Sequence, residues 1–379
     1  MTVKELLIIM DKIKASDLYL TVDAPPMFRI EGVTRPYGES KLTSHQTEDI
    51  AQSLMTERQK ASFSETMEMN MGLYYPELGR FRVNMYRQKS FVGIVFRRIK
   101  LEIDTLDDLH MPPILKDICL HKRGLVLIVG GTGTGKSTTL AAMIVHRSST
   151  TTGHIITVED PIEFLYPHRK SIISQREIGI DTFSYAEALK NTLRQAPDVI
   201  LIGEIRDRET MESAITFSET GHLCLSTLHA NNANQAIERI MNFFPPEKHA
   251  QFYFQLSLNL RAIISQRLLP TIDGNRVAAM EILIDSPRVK DLIMKRKIDV
   301  LKEAMHESSA EGMQTFDKSL FDLLKAGKIT YENAIAYADS ANDLRLRIKM
   351  DQVAEISTQK PDKTKKTKLT DDDNSLRLK

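Results

Sequence analysis

Residues 130–137 read GGTGTGKS, a complete G-x-x-x-x-G-K-[ST] sequence, and both flanks suit it. Residues 125–129 (LVLIV) are a short unbroken apolar run of the kind that forms a strand buried on both faces. Residues 138–146 (TTLAAMIVH) favour a helix. A strand, a glycine-rich turn and a helix start in that order predict a phosphate cradle. Gly130, Gly131, Gly133 and Gly135 let backbone N–H groups turn inward around an anion, with Thr132, Thr134 and Thr138 beside them, and the helix N-terminus adds partial positive charge. Lys136 is then placed to reach the β/γ-phosphates, and Ser137 to ligate Mg²⁺. The expected ligand is a nucleoside triphosphate.

At 379 residues the chain is too long for one ordinary core, so two domains plus a tail are expected. Its 42% hydrophobic and 27% charged residues are ordinary for a globular protein. A net charge of +1 gives no bulk attraction for nucleic acid, and no tryptophan is present to stack bases, so no nucleic-acid partner is expected. The two cysteines, Cys119 and Cys224, lie far apart outside any C-x-x-C, which excludes a Cys₄ zinc site and fits a reducing cytoplasm. Both are expected as small buried apolar residues. The opening MTVKELLIIMDKIKASD has too short an apolar run for a secretory signal, and Leu6, Leu7, Met10 and Ile13 fit an amphipathic helix instead. No stretch has the length of a membrane span, so any membrane association is expected through partners, with no direct insertion.

Between residues 17 and 98 short alternating runs and turn signals predict strands, with a helix over 45–64 and strands over 80–85 and 91–98. This is a small α+β domain, taken as residues 1–100. Residues 101–112 are a linker, stiffened at its end by Pro112-Pro113. Beyond it, apolar runs at 125–129, 155–158, 199–202, 223–226 and 277–284 alternate with helical stretches. That alternation predicts an α/β domain with a mainly parallel sheet, residues 113–350, finishing in helices from about 288 to 347. Residues 351–379 form a charged tail, with almost no apolar content from Ser357 on, expected to be disordered.

Three further motifs fall at predicted strand ends. VILIG is followed by Glu204, the position at which a carboxylate can hold the water shell of Mg²⁺ beside a triphosphate. TVEDPIEF offers Glu159 and Glu163, either of which could orient or deprotonate a water in line with the γ-phosphate. Pro161 should end that strand and leave the group on a turn. TGHLCLSTLH places His222 before and His229 after a strand, a spacing foreign to zinc pairs. Each is either a structural histidine or a ligand sensor. Arg80, Arg82, Arg97 and Arg98 cluster on late strands of the first domain. They form either a basic strand face or fingers reaching a nucleotide on a neighbouring subunit.

GGTGTGKST, TVEDPIEF, VILIGEIRD and TGHLCLSTLH, in this order and spacing, resemble the secretion and type IV pilus superfamily of ATPases. ASDLYLTVDAPPMFRIEG and GRFRVNMYRQ are similar to the PAS-like first domain of its retraction branch, the PilT/PilU family. The likeness runs from residue 1 to about 345. It implies a PAS-like N-terminal domain followed by a RecA-like P-loop domain, with ATP and Mg²⁺ as ligands. It also implies Lys136 and Ser137 as the phosphate-loop pair, Glu204 as the metal-side acid, and Glu163 as the water-activating base with Glu159 as its alternate. His222 and His229 become nucleotide-binding, His229 as the γ-phosphate sensor, and the four arginines become fingers. The family works as a cytoplasmic homo-hexamer at the inner-membrane face of the pilus machine, pulling on a PilC-like platform protein.

Where the self-sufficient PilT type carries AIRNLI, this chain has PRVKDLI at 287–293, and its tail is longer. Both departures are similar to the accessory PilU type, which acts beside a PilT-type ATPase. A self-sufficient motor and a nucleotide-gated scaffold with little turnover are the alternatives.

Overall fold

Two sheets organise the chain, and the computed structural model describes residues 2–99, 102–308 and 311–358. The first sheet is built of β1 (Asp17–Leu20), β2 (Met27–Ile30), β3 (Val33–Pro36), β4 (Glu68–Tyr75), β5 (Gly79–Gln88) and β6 (Phe91–Arg98), in the order β3-β2-β1-β6-β5-β4. All its neighbours pair antiparallel. Alternation along β5 buries Phe81, Val83 and Met85 and turns Arg80 and Arg82 to the other face. The apolar face is closed by Leu6, Leu7 and Met10 of the helix Val3–Lys12, as their spacing predicts, and by Ala51 and Phe63. The single helix expected over 45–64 is two, Ser44–Leu54 and Glu57–Thr66. Thr56 and Gln59 form a capping box that stops one helix axis and starts another.

The second sheet holds β7 (Gly124–Val129), β8 (Gly153–Glu159), β9 (Ser171–Glu177), β10 (Val199–Ile202), β11 (Leu223–Leu228), β12 (Leu260–Pro270) and β13 (Arg276–Ile284), in the order β13-β12-β7-β11-β10-β8-β9. From β12 to β9 every pair is parallel. β13 follows β12 after a turn too short for a parallel crossover. All residues of β7, β10 and β11 are buried, which is why they read as unbroken apolar runs. Leu125, Leu127 and Val129 pack to one side with Met211, Ile215 and Ile237. Val126 and Ile128 pack to the other with Leu140, Met143 and Ile144. Cys224 is buried on the first side and Cys119 on the second, both as free thiols.

Among the described residues, those up to 269 and from 276 to 315 gather into one compact unit, and 270–275 with 316–358 into another. In the second unit, the Asp317 carboxylate accepts from the N–H groups of Asp339 (2.8 Å) and Ser340 (3.2 Å). Its last helix, Ala341–Thr358, covers the first eight residues of the stretch expected as a tail. The remainder, 359–379, lies outside the described residues. Among the described residues no helix is long and apolar enough to cross a membrane.

Candidate active site

Because β7, β11, β10 and β8 are adjacent and parallel, their carboxyl ends come out on one edge of the sheet. The glycine loop follows β7, His229 follows β11, Glu204 follows β10, and the 159–163 turn follows β8. Four segments spread over a hundred residues therefore meet by topology alone, at the edge where open α/β sheets bind ligands. They line a cavity of about 230 Å³, into which Thr132, Gly133, Lys136, Ser137, Glu159, Glu163, Glu204 and His229 all face.

Gly133 (φ +77°) and Gly135 (φ +88°) take the left-handed backbone that the turn needs before the helix Lys136–Thr150 begins. Thr134 Oγ1 donates to the carbonyl of Gly131 at 3.0 Å, tightening the loop from inside. Lys136 Nζ donates to the carbonyls of Gly130 (2.9 Å) and Gly131 (2.7 Å), so its charge is held over the loop. Partial burial lowers its pKa, against the pull of Glu204 and Glu163. Gly130, Gly131, Thr134, Gly135 and Thr138 are not among the residues lining this cavity, and Gly130 and Gly131 line a second one that His229 also borders.

Glu204 is fixed through its neighbours. The Gly203 N–H donates to the carbonyl of Val158 (2.8 Å), Thr227 Oγ1 donates to the carbonyl of Gly203 (2.7 Å), and the Ile205 N–H to that of Thr227 (2.9 Å). A side chain at 203 would crowd its surroundings, since a Cβ there would stand 2.9 Å from the Tyr185 hydroxyl and 3.2 Å from Glu159 Cα. Both oxygens of Glu204 are engaged: Oε1 with His229 Nε2 at 3.0 Å and Oε2 with Arg206 Nε at 2.8 Å. Burial, with Lys136 nearby, lowers the His229 pKa despite Glu204. A carboxylate can only accept, so Nε2 is a ring nitrogen that carries a proton and donates it to Glu204. The Ser137 hydroxyl and the Glu204 carboxylate are hard oxygen donors on one cavity, the donor chemistry that suits Mg²⁺.

The two acids of the 159–163 turn have different surroundings. Glu159 is buried and accepts from Thr157 Oγ1 (2.6 Å) and Gln175 Nε2 (3.2 Å). Burial pushes its carboxyl up to about 7, with the two hydrogen bonds and a backbone contact from Glu163 acting against it. Glu163 is exposed into the cavity beyond the Asp160–Pro161 turn, which ends β8 as its proline predicts. Tyr185, Arg206 and Gln175 also belong here, and sequence reading missed all three. Only Arg206 left a trace, two residues after Glu204 and so on the same side of an extended segment.

Other expected residues are not brought to the cavity. His222 precedes β11, so that strand's length of roughly 20 Å separates it from His229. Its Nδ1 lies 3.0 Å from the Thr220 hydroxyl. The four arginines divide between faces. Arg82 stands opposite Arg97, whereas Arg98 stands opposite the buried Phe81. Arg97 Nε donates to Asp17 at 2.8 Å, and Arg98 pairs with Asp11. Arg80 reaches the parallel sheet, 3.6 Å from Glu177 at the end of β9. The Glu177 carboxylate is buried, and burial raises its pKa against Arg80 and Arg82.

The family described as type II/IV secretion system protein matches residues 93–315. The chain belongs to that family. Within this family it is 52% identical, over 92% of each chain, to the type IV pilus ATPase PilU of Pseudomonas aeruginosa. It is 41% identical to the type IV pilus retraction ATPase PilT of the same organism, over 88% of this chain and 97% of that one. Among solved structures of the family, the pilus retraction motor PilT with bound ADP superposes with a TM-score of 0.84 at 39% identity, covering 91% of this chain and 99% of that one. The chain is thus a PilT/PilU-type member of the secretion ATPase family.

Proposed function

We propose that this chain is an ATP-hydrolysing motor subunit of type IV pilus retraction, of the accessory PilU type. One observation carries the reading: the glycine loop, His229, Glu204 and Glu163 converge on one cavity at the carboxyl edge of the sheet. The higher identity to PilU than to PilT favours the accessory type. In this reading the loop N–H groups and Lys136 hold the phosphates, and Ser137 with Glu204 would hold Mg²⁺. Bound Mg²⁺ neutralises charge developing on the phosphates. Glu163, exposed to the cavity, takes the proton of the attacking water. Glu159, buried and hydrogen-bonded, braces the turn that carries Glu163. His229 reports on the γ-phosphate through its bond to Glu204.

The working particle is a cytoplasmic homo-hexamer at the inner-membrane face of the pilus machine, acting with a PilT-type ATPase on the platform protein. In this reading the first sheet, to about residue 100, and the P-loop half, from about 113, shift against each other within the larger compact unit during turnover. The Arg80–Glu177 pair would be one contact between them. The test is pilus retraction in cells lacking both PilT and PilU, with this chain expressed alone and then beside PilT. Rescue only beside PilT supports the accessory type. Rescue by this chain alone makes it a self-sufficient motor.

A further inference from the structure

Gln266 lies 130 residues from the glycine loop in sequence and directly against it in space. In the parallel pairing of β12 with β7, Ser265 stands opposite Val129, so Gln266 follows at the level where the loop begins. It is 2% exposed, and its amide is used at both ends. Nε2 donates to the carbonyl of Thr134 at 2.8 Å, and Oε1 accepts from Thr139 Oγ1 at 2.8 Å. A carbonyl can only accept, so the NH₂ must face Thr134, and the Thr139 hydroxyl then holds the amide in that orientation.

A trans peptide points its C=O and N–H in opposite directions. With the Thr134 carbonyl held on Gln266, the N–H of Gly135 is turned away from β12. Inward-turned N–H groups are what make a loop before a helix bind an anion. Two glycines of the loop also answer to Gln266. A Cβ on Gly135 would stand 2.9 Å from its Nε2, and a Cβ on Gly130 would stand 2.7 Å from its backbone oxygen.

We propose that Gln266 is a positioning residue for the nucleotide phosphates: it holds the Thr134–Gly135 peptide in the anion-binding orientation, and Thr139 sets the direction of its amide. The proposal rests on the nucleotide reading of the cavity. It is tested on the full chain by titration with a fluorescent ADP analogue, by ATPase kinetics and by melting curves. The variants are Gln266→Met, which keeps the shape and loses both bonds, Thr139→Val and Thr139→Ser.

Gln266→Met should weaken ADP by about 10-fold or more, because without its buried partner the Thr134 carbonyl lets the peptide turn out of the anion-binding orientation in the free protein, and ADP must turn it back at a cost like that of the lost bond. KM for ATP should rise accordingly while kcat changes less than about threefold, because the grip on phosphate is shared by ground and transition states. Thr139→Val should weaken ADP by a smaller factor and Thr139→Ser should restore it. Wild-type ADP affinity in Gln266→Met, or equal losses in Thr139→Val and Thr139→Ser, would overturn the proposal and leave the nucleotide reading standing. If Gln266→Met does not fold, the two Thr139 variants decide by the same criterion. An intact chain that binds no ADP would sink the nucleotide reading itself.

Discussion

Glu159→Gln should make the protein more stable at alkaline pH and change little at acid pH. Burial raises the Glu159 carboxyl from 4.5 to about 7 in the folded chain. An acid with its folded pKa above its unfolded one keeps its proton in the folded state while the unfolded chain gives it up. Its contribution is therefore full below pH 4.5, falls as pH rises, and levels off above about 7. The span of about 2.5 units (7 − 4.5), at 1.36 kcal/mol per unit, sets a loss of about 3 kcal/mol as the upper bound. Glutamine removes the ionisation and keeps an oxygen for Thr157 Oγ1 and Gln175 Nε2. The backbone contact from Glu163 is the interaction the amide can lose, which is why the figure is a bound. In parallel melting curves from pH 5 to 8.5, the variant should draw ahead of the wild type, reaching about 5 °C above pH 7.5. A difference that stays constant, or narrows with rising pH, would refute the assignment of a buried, proton-retaining Glu159.

Glu163→Gln should keep nucleotide affinity and cut turnover by about 10²–10⁴-fold, since the shape stays and the base is lost. Single-turnover ATPase rates beside ADP titration would check it, and near-normal turnover would move the role elsewhere. Arg80→Ala leaves the buried Glu177 carboxylate without its ion-pair partner at 3.6 Å and should destabilise by about 3 kcal/mol, the low end for a buried pair because Arg80 is part-exposed. Adding Glu177→Gln should recover part of that loss in urea titrations. A second substitution that deepens the loss would show that the pair is not the cause.

The parallel core was legible because β7, β10 and β11 are buried on both faces and carry no polar interruption. β12 was not, because Arg261, Ser265, Gln266 and Arg267 break its apolar run, the first three bonding to the Arg123 carbonyl, the Glu281 carboxylate and the Thr134 carbonyl. β9, the outer strand of its sheet, carries Ser174, Gln175 and Arg176 for the same kind of reason. At the site, motifs next to strand ends named Lys136, Glu204, Glu163 and His229, and the topology brought them together. Spacing alone could not tell His222 from His229, since both flank the same strand, and only strand direction assigns them to opposite edges. Nor could it separate Arg98 from Arg80, Arg82 and Arg97, which depends on strand register. Gln266 and Tyr185 carry no motif, and their roles exist only in the folded pairing.

The most direct test of the account is Mg²⁺-dependent ATP hydrolysis by the purified full-length protein, compared with Lys136→Ala at matched folding by circular dichroism. Phosphate release should stop on chelating Mg²⁺ and be lost in Lys136→Ala while the fold is unchanged. Hydrolysis that survives Lys136→Ala would contradict the site described at the carboxyl edge, and no hydrolysis by the intact protein under any magnesium concentration would contradict the motor.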